Sequence, residues 1–307
     1  MTDKTLHHGF NCVFAAAFSF SIVRFTSLSS DADISPAVVG NNNRCRNGFQ
    51  PWLHFLLLKA SAHPIPLASS TNTLPWKMSL SHPPRALLFD VFGTCVDWRS
   101  TVTNGLWEAT RKALNATTES IPPTVALKAS QMTKEEWGVF TQEWRNTYKT
   151  FTKTIASDSS KAWKTVDEHH YDSLKELLAE WQLEGLWTEE EVRHLSLIWH
   201  RLDGWSDSSR GIRELNKRFW TCTLSNGNLS LLNDLKVHAK MDFTHVFSAE
   251  QFGSYKPNPS VYLGAVEKLG LSPKDCAMVA AHLYDLKAAR ACGLQTIYVE
   301  RPQEEVS

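Results

Sequence analysis

The sequence predicts an α/β fold: a mainly parallel five-stranded sheet wrapped by helices, with a helical insert after the first strand. Three observations carry that prediction. The short apolar run Ala86 to Phe89 ends in Asp90 and the glycine turn Val91-Phe92-Gly93-Thr94, as a buried parallel strand does. From Asp97 to about Arg210 the pattern becomes helical and rich in tryptophan. From Ser206 onward strand and helix patterns alternate, the mark of βα units on a parallel sheet.

Residues 1 to 80 stand apart, rich in Ser, Asn, Phe and His, poor in acids and without a sustained period. Phe10 to Val23 is apolar but too short to span a bilayer. Three readings stay open: a signal or transit segment, given that run and Arg24, Arg44 and Arg46; a disordered extension; or a start of translation at Met78. The core is expected at 81–97 and 206–307, and the insert at 98–205. Within the insert, Thr133-Lys134-Glu135-Glu136 is a capping box, and Trp137, Phe140, Trp144, Tyr148 and Phe151 follow at helical spacing. Residues 166 to 183 give a second amphipathic helix through Leu174, Leu177, Leu178 and Trp181. Thr188 caps a third that carries Val192, Leu195, Ile198 and Trp199. These tryptophans read as packing, with one or two left to line the mouth of a dry pocket. Later strands are expected at Phe219 to Leu224, His245 to Ser248, Cys276 to Ala281 and Gln295 to Val299. Helices at about 208–217, 228–239, 258–269 and 284–292 join them.

A carboxylate at the carboxyl end of a strand sits where open α/β sheets hold their chemistry. Asp90 is therefore either a nucleophile that forms an ester with substrate or a plain cap for the following turn. Three downstream segments favour the first reading. Phe89-Asp90-Val91-Phe92-Gly93-Thr94, Leu224-Ser225-Asn226-Gly227, Tyr255-Lys256-Pro257-Asn258-Pro259-Ser260-Val261-Tyr262 and Val279-Ala280-Ala281-His282-Leu283-Tyr284-Asp285 resemble, in order, the four motifs of the haloacid dehalogenase superfamily. The Phe-Asp-x-Phe-Gly-Thr wording, the Ser-Asn-Gly and the Tyr six residues after the lysine are similar to the type II (L-2-haloacid) branch. The resemblance covers residues 86 to 300. It implies a Rossmann-like core with a four-helix cap made by the insert. It also implies metal-free hydrolysis of short 2-haloalkanoic acids to 2-hydroxy acids through an aspartyl ester, no cofactor, and a homodimer through the cap.

By this resemblance Asp90 is the nucleophile and Asp285 orients or deprotonates the hydrolytic water. Asn226 faces the departing halide, and Arg145, in Glu143-Trp144-Arg145, receives it. Read alone, Asp285 serves equally as a helix cap and Arg145 as part of a solvated helix face. Lys256, in a turn between Tyr255 and two prolines, is suited to keep two neighbouring carboxylates ionised, against the alternative of a surface lysine. Tyr262 supports that lysine or packs. Ser225 and Thr94 donate to the nucleophile or the substrate carboxylate, or act as turn residues. The family's fourth motif, Ser-Ser-Asn-x-Trp-Asp, is replaced here by Ala280-Ala281-His282-Leu283-Tyr284-Asp285. His282 then either accepts a proton from water or fills the space of the amide.

Phe92 separates the main enzymatic readings. Phosphatases of the superfamily carry a second Asp at that position to protonate the leaving alkoxide, whereas a halide leaves without a proton. A magnesium-dependent phosphatase acting on a small phosphometabolite is the alternative; only there is Mg expected, and Asp90 with Asp285 offers a poor ligand set. A catalytically weak protein that binds small carboxylates or a partner through its aromatic cap is the third reading. The trio Asp90, Lys256 and Asp285 argues against it. The 32 Lys and Arg balance the 32 Asp and Glu, so no global field favours nucleic acid or an anionic membrane; the partner expected is a small carboxylate. Of Cys12, Cys45, Cys95, Cys222, Cys276 and Cys292, none shows paired metal spacing, and Cys95, Cys222 and Cys276 fall in or beside core strands. That usage fits a reducing, cytoplasmic compartment.

Overall fold

The computed structural model describes residues 82–116, 121–158 and 160–305, together with the backbone of Val23–Phe25. Strands β1 (Val23–Phe25), β2 (Ala86–Phe89), β3 (Trp220–Ser225), β4 (His245–Ser248), β5 (Cys276–Ala280) and β6 (Gln295–Val299) form one sheet in the order β1-β6-β5-β2-β3-β4. Five of them, β2 to β6, are mutually parallel, as expected. The three-residue β1 adds an antiparallel edge against β6. It comes from the N-terminal extension, whose other expected features lie outside the described residues. β2 is central: Phe89 pairs with Thr223 on one side and Val279 on the other, so the ends of three neighbouring strands meet around Asp90.

Side chains alternate across the sheet with the period of a strand. Leu87 and Phe89 face one cluster with Val279 and Ile297, while Ala86 and Leu88 face a second with Cys222, Met278 and Ala280. Both faces are apolar because helices cover both, as parallel sheets require. Cys95, Cys222 and Cys276 are free and buried, the apolar role expected of them.

After the strand, the chain turns through Gly93, whose φ of 81° suits glycine. It then leaves for the insert and returns beside its own exit: Asp97 N donates to Asp203 O at 2.8 Å and Trp205 N to Cys95 O at 3.1 Å. The insert holds α1 (Trp98–Asn115), α2 (Pro123–Gln131), α3 (Lys134–Ser157), α4 (Val166–Glu180) and α5 (Glu189–Ser196), followed by a 3₁₀ turn at Leu197–Arg201. Among the described residues these are five α-helices where the resemblance implied four. The extra break falls at Met132, which is extended, because Thr133 and Glu136 close a capping box that starts α3 afresh. Thr165 with Glu168 and Thr188 with Glu191 start α4 and α5 in the same way. Trp98, Trp137, Trp144 and Trp199 are fully buried in the insert's core. Truncating any such ring to alanine costs about 3–5 kcal/mol.

Helices α6 (Ser208–Leu215), α7 (Leu229–His238), α8 (Pro259–Lys268) and α9 (Leu283–Ala291) connect the later strands, within two residues of the expected bounds at each end. No helix among the described residues is long and apolar enough to cross a membrane.

Candidate active site

Asp90 is locked to the end of β2 by its own N–H, which donates to Val279 O at 2.9 Å. Its two carboxylate oxygens have different partners. Oδ1 accepts from Lys256 Nζ at 3.0 Å, while Oδ2 accepts from Thr94 Oγ1 and from His282 Nδ1, each at 2.9 Å. The Thr94 hydroxyl is aimed, because it accepts the Ala281 N–H at 2.9 Å and so has only its own hydrogen to give Asp90. Lys256, from the turn before α8, also reaches Asp285 Oδ2 at 2.5 Å. Tyr262, one turn into α8, donates to Asp285 Oδ1 at 2.6 Å. Asp285 lies in the first turn of α9, yet both its oxygens are engaged by side chains rather than by the helix end.

Charge and burial fix the protonation states. Burial pushes the Asp90 carboxyl up, but the Lys256 ammonium and the His282 bond outweigh it and hold it well below the usual carboxylate range. Burial likewise opposes the Lys256 charge, and Asp285 and Asp90 more than restore it, so the lysine stays an ammonium. Asp285 is raised, by burial and by the charge of Asp90, against the pull of Lys256. Lys256, bonded to both carboxylates, is the counter-ion they share.

The remaining expected residues gather around this centre. Asn226 holds the Lys256 backbone at both ends of its amide: Lys256 N donates to Oδ1 at 2.7 Å and Nδ2 donates to Lys256 O at 3.2 Å. The second of these bonds takes one of the two amide hydrogens. Ser225 is buried at the end of β3, and its Oγ accepts the Gly227 N–H at 3.3 Å, the turn role. The Phe92 ring lies 5.4 Å below the Arg145 guanidinium. Arg145 is buried rather than part of a solvated face, and Trp98 and Tyr148 complete its aromatic surround.

Asp90 thus ends a central parallel strand and shares Lys256 with Asp285. Residues 84–293 match the haloacid dehalogenase-like hydrolases. The chain belongs to that family. Among the relatives of this haloacid dehalogenase-like hydrolase is (S)-2-haloacid dehalogenase 4A of Burkholderia cepacia, 24% identical over 220 residues that cover 71% of this chain and 83% of the relative. Of solved structures, the L-2-haloacid dehalogenase PA0810 is 36% identical, with a TM-score of 0.61 over 72% of this chain and 86% of that one. The defluorinating L-2-haloacid dehalogenase Rha0230 is 30% identical, with a TM-score of 0.61 over 69% and 80%.

One residue of this hydrolase's site went unforeseen. Glu304, from the segment after β6, meets His282 Nε2 at 3.0 Å and accepts the Trp98 Nε1–H at 2.7 Å. In the sequence it belongs to a short polar tail with no periodicity, which gives no signal of burial. His282 thus lies between two carboxylates. Burial opposes its charge, but bonding to Asp90 and Glu304 raises it to about 9, from 6.5. A histidine raised on folding stabilises fully below its unfolded value and ceases to do so as the pH passes its folded one. Thermal melts across pH are therefore expected to show a loss of stability from pH about 6.5 through about 9 that His282→Asn lacks. Parallel curves for the two proteins would contradict that.

Proposed function

We propose that the protein hydrolyses short 2-haloalkanoic acids to 2-hydroxy acids through an aspartyl ester on Asp90, without a metal ion. Arg145 is the observation that carries this reading. It is 2% exposed, its guanidinium carbon lies 4.4 Å from the Tyr148 ring centroid, and its Nε and Nη1 find no acceptor in the protein. Buried donors without acceptors are costly, so these two suit an anion that the substrate brings. The Tyr148 phenol feels the charges of both Arg145 and Asp90, which supports one chamber for anion and nucleophile.

In this scheme Asp90 attacks C2 with inversion, and the C–halogen bonding pair leaves on the halide toward Arg145. Ser225, whose oxygen is already occupied as an acceptor, has a hydrogen to give the substrate carboxylate. Water then attacks the ester carbonyl, with Asp285, its carboxyl raised, as the base. The five insert helices act as a cap that keeps bulk water from the nucleophile. Phe92 in place of a second acid supports a leaving group that needs no proton, and the relatives named as 2-haloacid dehalogenases support the same substrate class.

The test is halide release from L- and D-2-chloropropionate with EDTA present. Release from the L acid is expected; no halide from either, with phosphate released from an aryl phosphate in magnesium, would replace this reading by the phosphatase one. Arg145→Met is expected to lower kcat/KM by about 10²–10³-fold, as losing a stabiliser of developing charge does. The same substitution is expected to leave the melting temperature unchanged or higher, because it removes a buried charge with two donors unsatisfied. A lower melting temperature with unchanged kinetics would show Arg145 to be structural.

A further inference from the structure

Glu304 is held too firmly for a solvated tail charge. Gln303 takes a left-handed conformation, φ 63°, and turns Glu304 inward, where its side chain is 4% exposed. Arg301 anchors the same segment: Nε donates to Thr94 O at 2.9 Å, and Nη1 lies 2.9 Å from Asp207 Oδ1. Gly93, in the nucleophile's own turn, leaves the space that the Glu304 carboxylate fills; a Cβ there would run into it. Carboxylates only accept hydrogen bonds, so an imidazole between Asp90 Oδ2 and Glu304 Oε2 carries hydrogen on both nitrogens.

We infer that Glu304 keeps His282 a double donor so that His282, together with Thr94, stabilises the oxyanion that forms on Asp90 Oδ2 during hydrolysis of the aspartyl ester. This rests on the dehalogenase reading and supplies its second step. Oδ1, with a single donor, is the oxygen that takes the alkyl group; Oδ2, with two, remains the carbonyl oxygen of the ester. Water adds to Cγ and gives one proton to Asp285, while the C=O π pair moves onto Oδ2 between the Thr94 hydroxyl and the His282 N–H. The pair returns and the Cγ–Oδ1 bond breaks. The departing alkoxide takes a proton from Lys256, which Asp285 replenishes across their 2.5 Å contact. The other proton of the water leaves Asp90 as its carboxylate is restored, so one proton and one halide are released per turnover. Glu304 is a positioning residue here: it acts through His282.

The test is Glu304→Gln, which keeps the side chain's shape, with His282→Gln, a neutral donor, as the second variant. Both are assayed with L-2-chloropropionate by rapid quench, mass spectrometry of the Asp90 peptide, and NMR titration of the His282 ring. The groups facing that ring are Asp90, Glu304, and Tyr284 at 5.5 Å, with Lys256 and Asp285 behind Asp90 and Glu305 on the Leu283 N–H. Glu304→Gln is expected to give a halide burst of one per site, then turnover about 10- to 100-fold slower than wild type. Ester is expected to accumulate on Asp90 in both variants, and the His282 titration in Glu304→Gln to fall toward its ordinary range. Burst and turnover slowed together without ester, unchanged rates, or an unchanged titration would each overturn the inference. A wild type that releases no halide from any 2-halo acid sinks the dehalogenase reading and the oxyanion role with it, while the titration still decides the Glu304–His282 pairing.

Discussion

Asp90→Asn is expected to lower halide release by at least about 10⁴-fold, since the substitution removes the attacking oxygen rather than an auxiliary. The carboxylate now receives three donors, from Lys256, Thr94 and His282. An amide cannot satisfy all three. Whichever way it turns, its NH₂ faces either the ammonium of Lys256 or the Thr94 and His282 donors, and Thr94 cannot reverse because Ala281 N–H occupies its oxygen. A stability loss of about 1–3 kcal/mol should accompany the kinetic loss, the cost of an unsatisfied buried group. Retained halide release in a folded variant would show that Asp90 is not the nucleophile.

The second large effect belongs to Lys256. Lys256→Met leaves Asp90 and Asp285 buried with their shared counter-ion gone. Breaking a buried pair on one side costs about 3–5 kcal/mol, and like charges in one site raise each other's pKa. Activity should fall by about 10³-fold or more, because Asp90 keeps His282 but loses its ammonium partner, and substitution needs the anion. The sign of the pH response follows. Carboxylates raised above their unfolded value destabilise the fold at neutral pH and cease to do so as acid protonates them. Denaturant midpoints of Lys256→Met should therefore recover toward the wild type as the pH is lowered. A gap that stays constant across the acid range would mean that lost packing, not charge, destabilises the variant.

Much of this centre was legible because its residues sit in short motifs tied to strand ends. Asp90 follows an apolar run whose burial on both faces leaves little but a central strand, and Ala86–Phe89 is that strand. Lys256, Tyr262 and Asp285 are carried by elements whose helix starts are readable, Pro259 with Asn258 as cap for α8 and the first turn of α9. What escaped is long-range and aperiodic. Asn226 reads as a halide contact from its motif, while its bonds to the Lys256 backbone join positions 30 residues apart and leave no local signal. Arg145 could be placed on a helix but not on a face, since Trp98 comes from another helix and Phe92 from the turn after β2. Glu304 lies 22 residues after His282, and only the turn at Gln303 with the space over Gly93 brings the two together. The insert's helix count differs for a local reason: Pro123–Gln131 is short and starts without a side-chain cap to mark it.

The covalent ester is the central claim, and a single turnover in heavy-oxygen water with enzyme in excess over L-2-chloropropionate tests it most directly. The account predicts a 2-hydroxy acid carrying ordinary oxygen, taken from Asp90, and an Asp90 peptide that has gained one heavy oxygen. Heavy oxygen in the product, with none in Asp90, would contradict it and assign the attack on C2 to water.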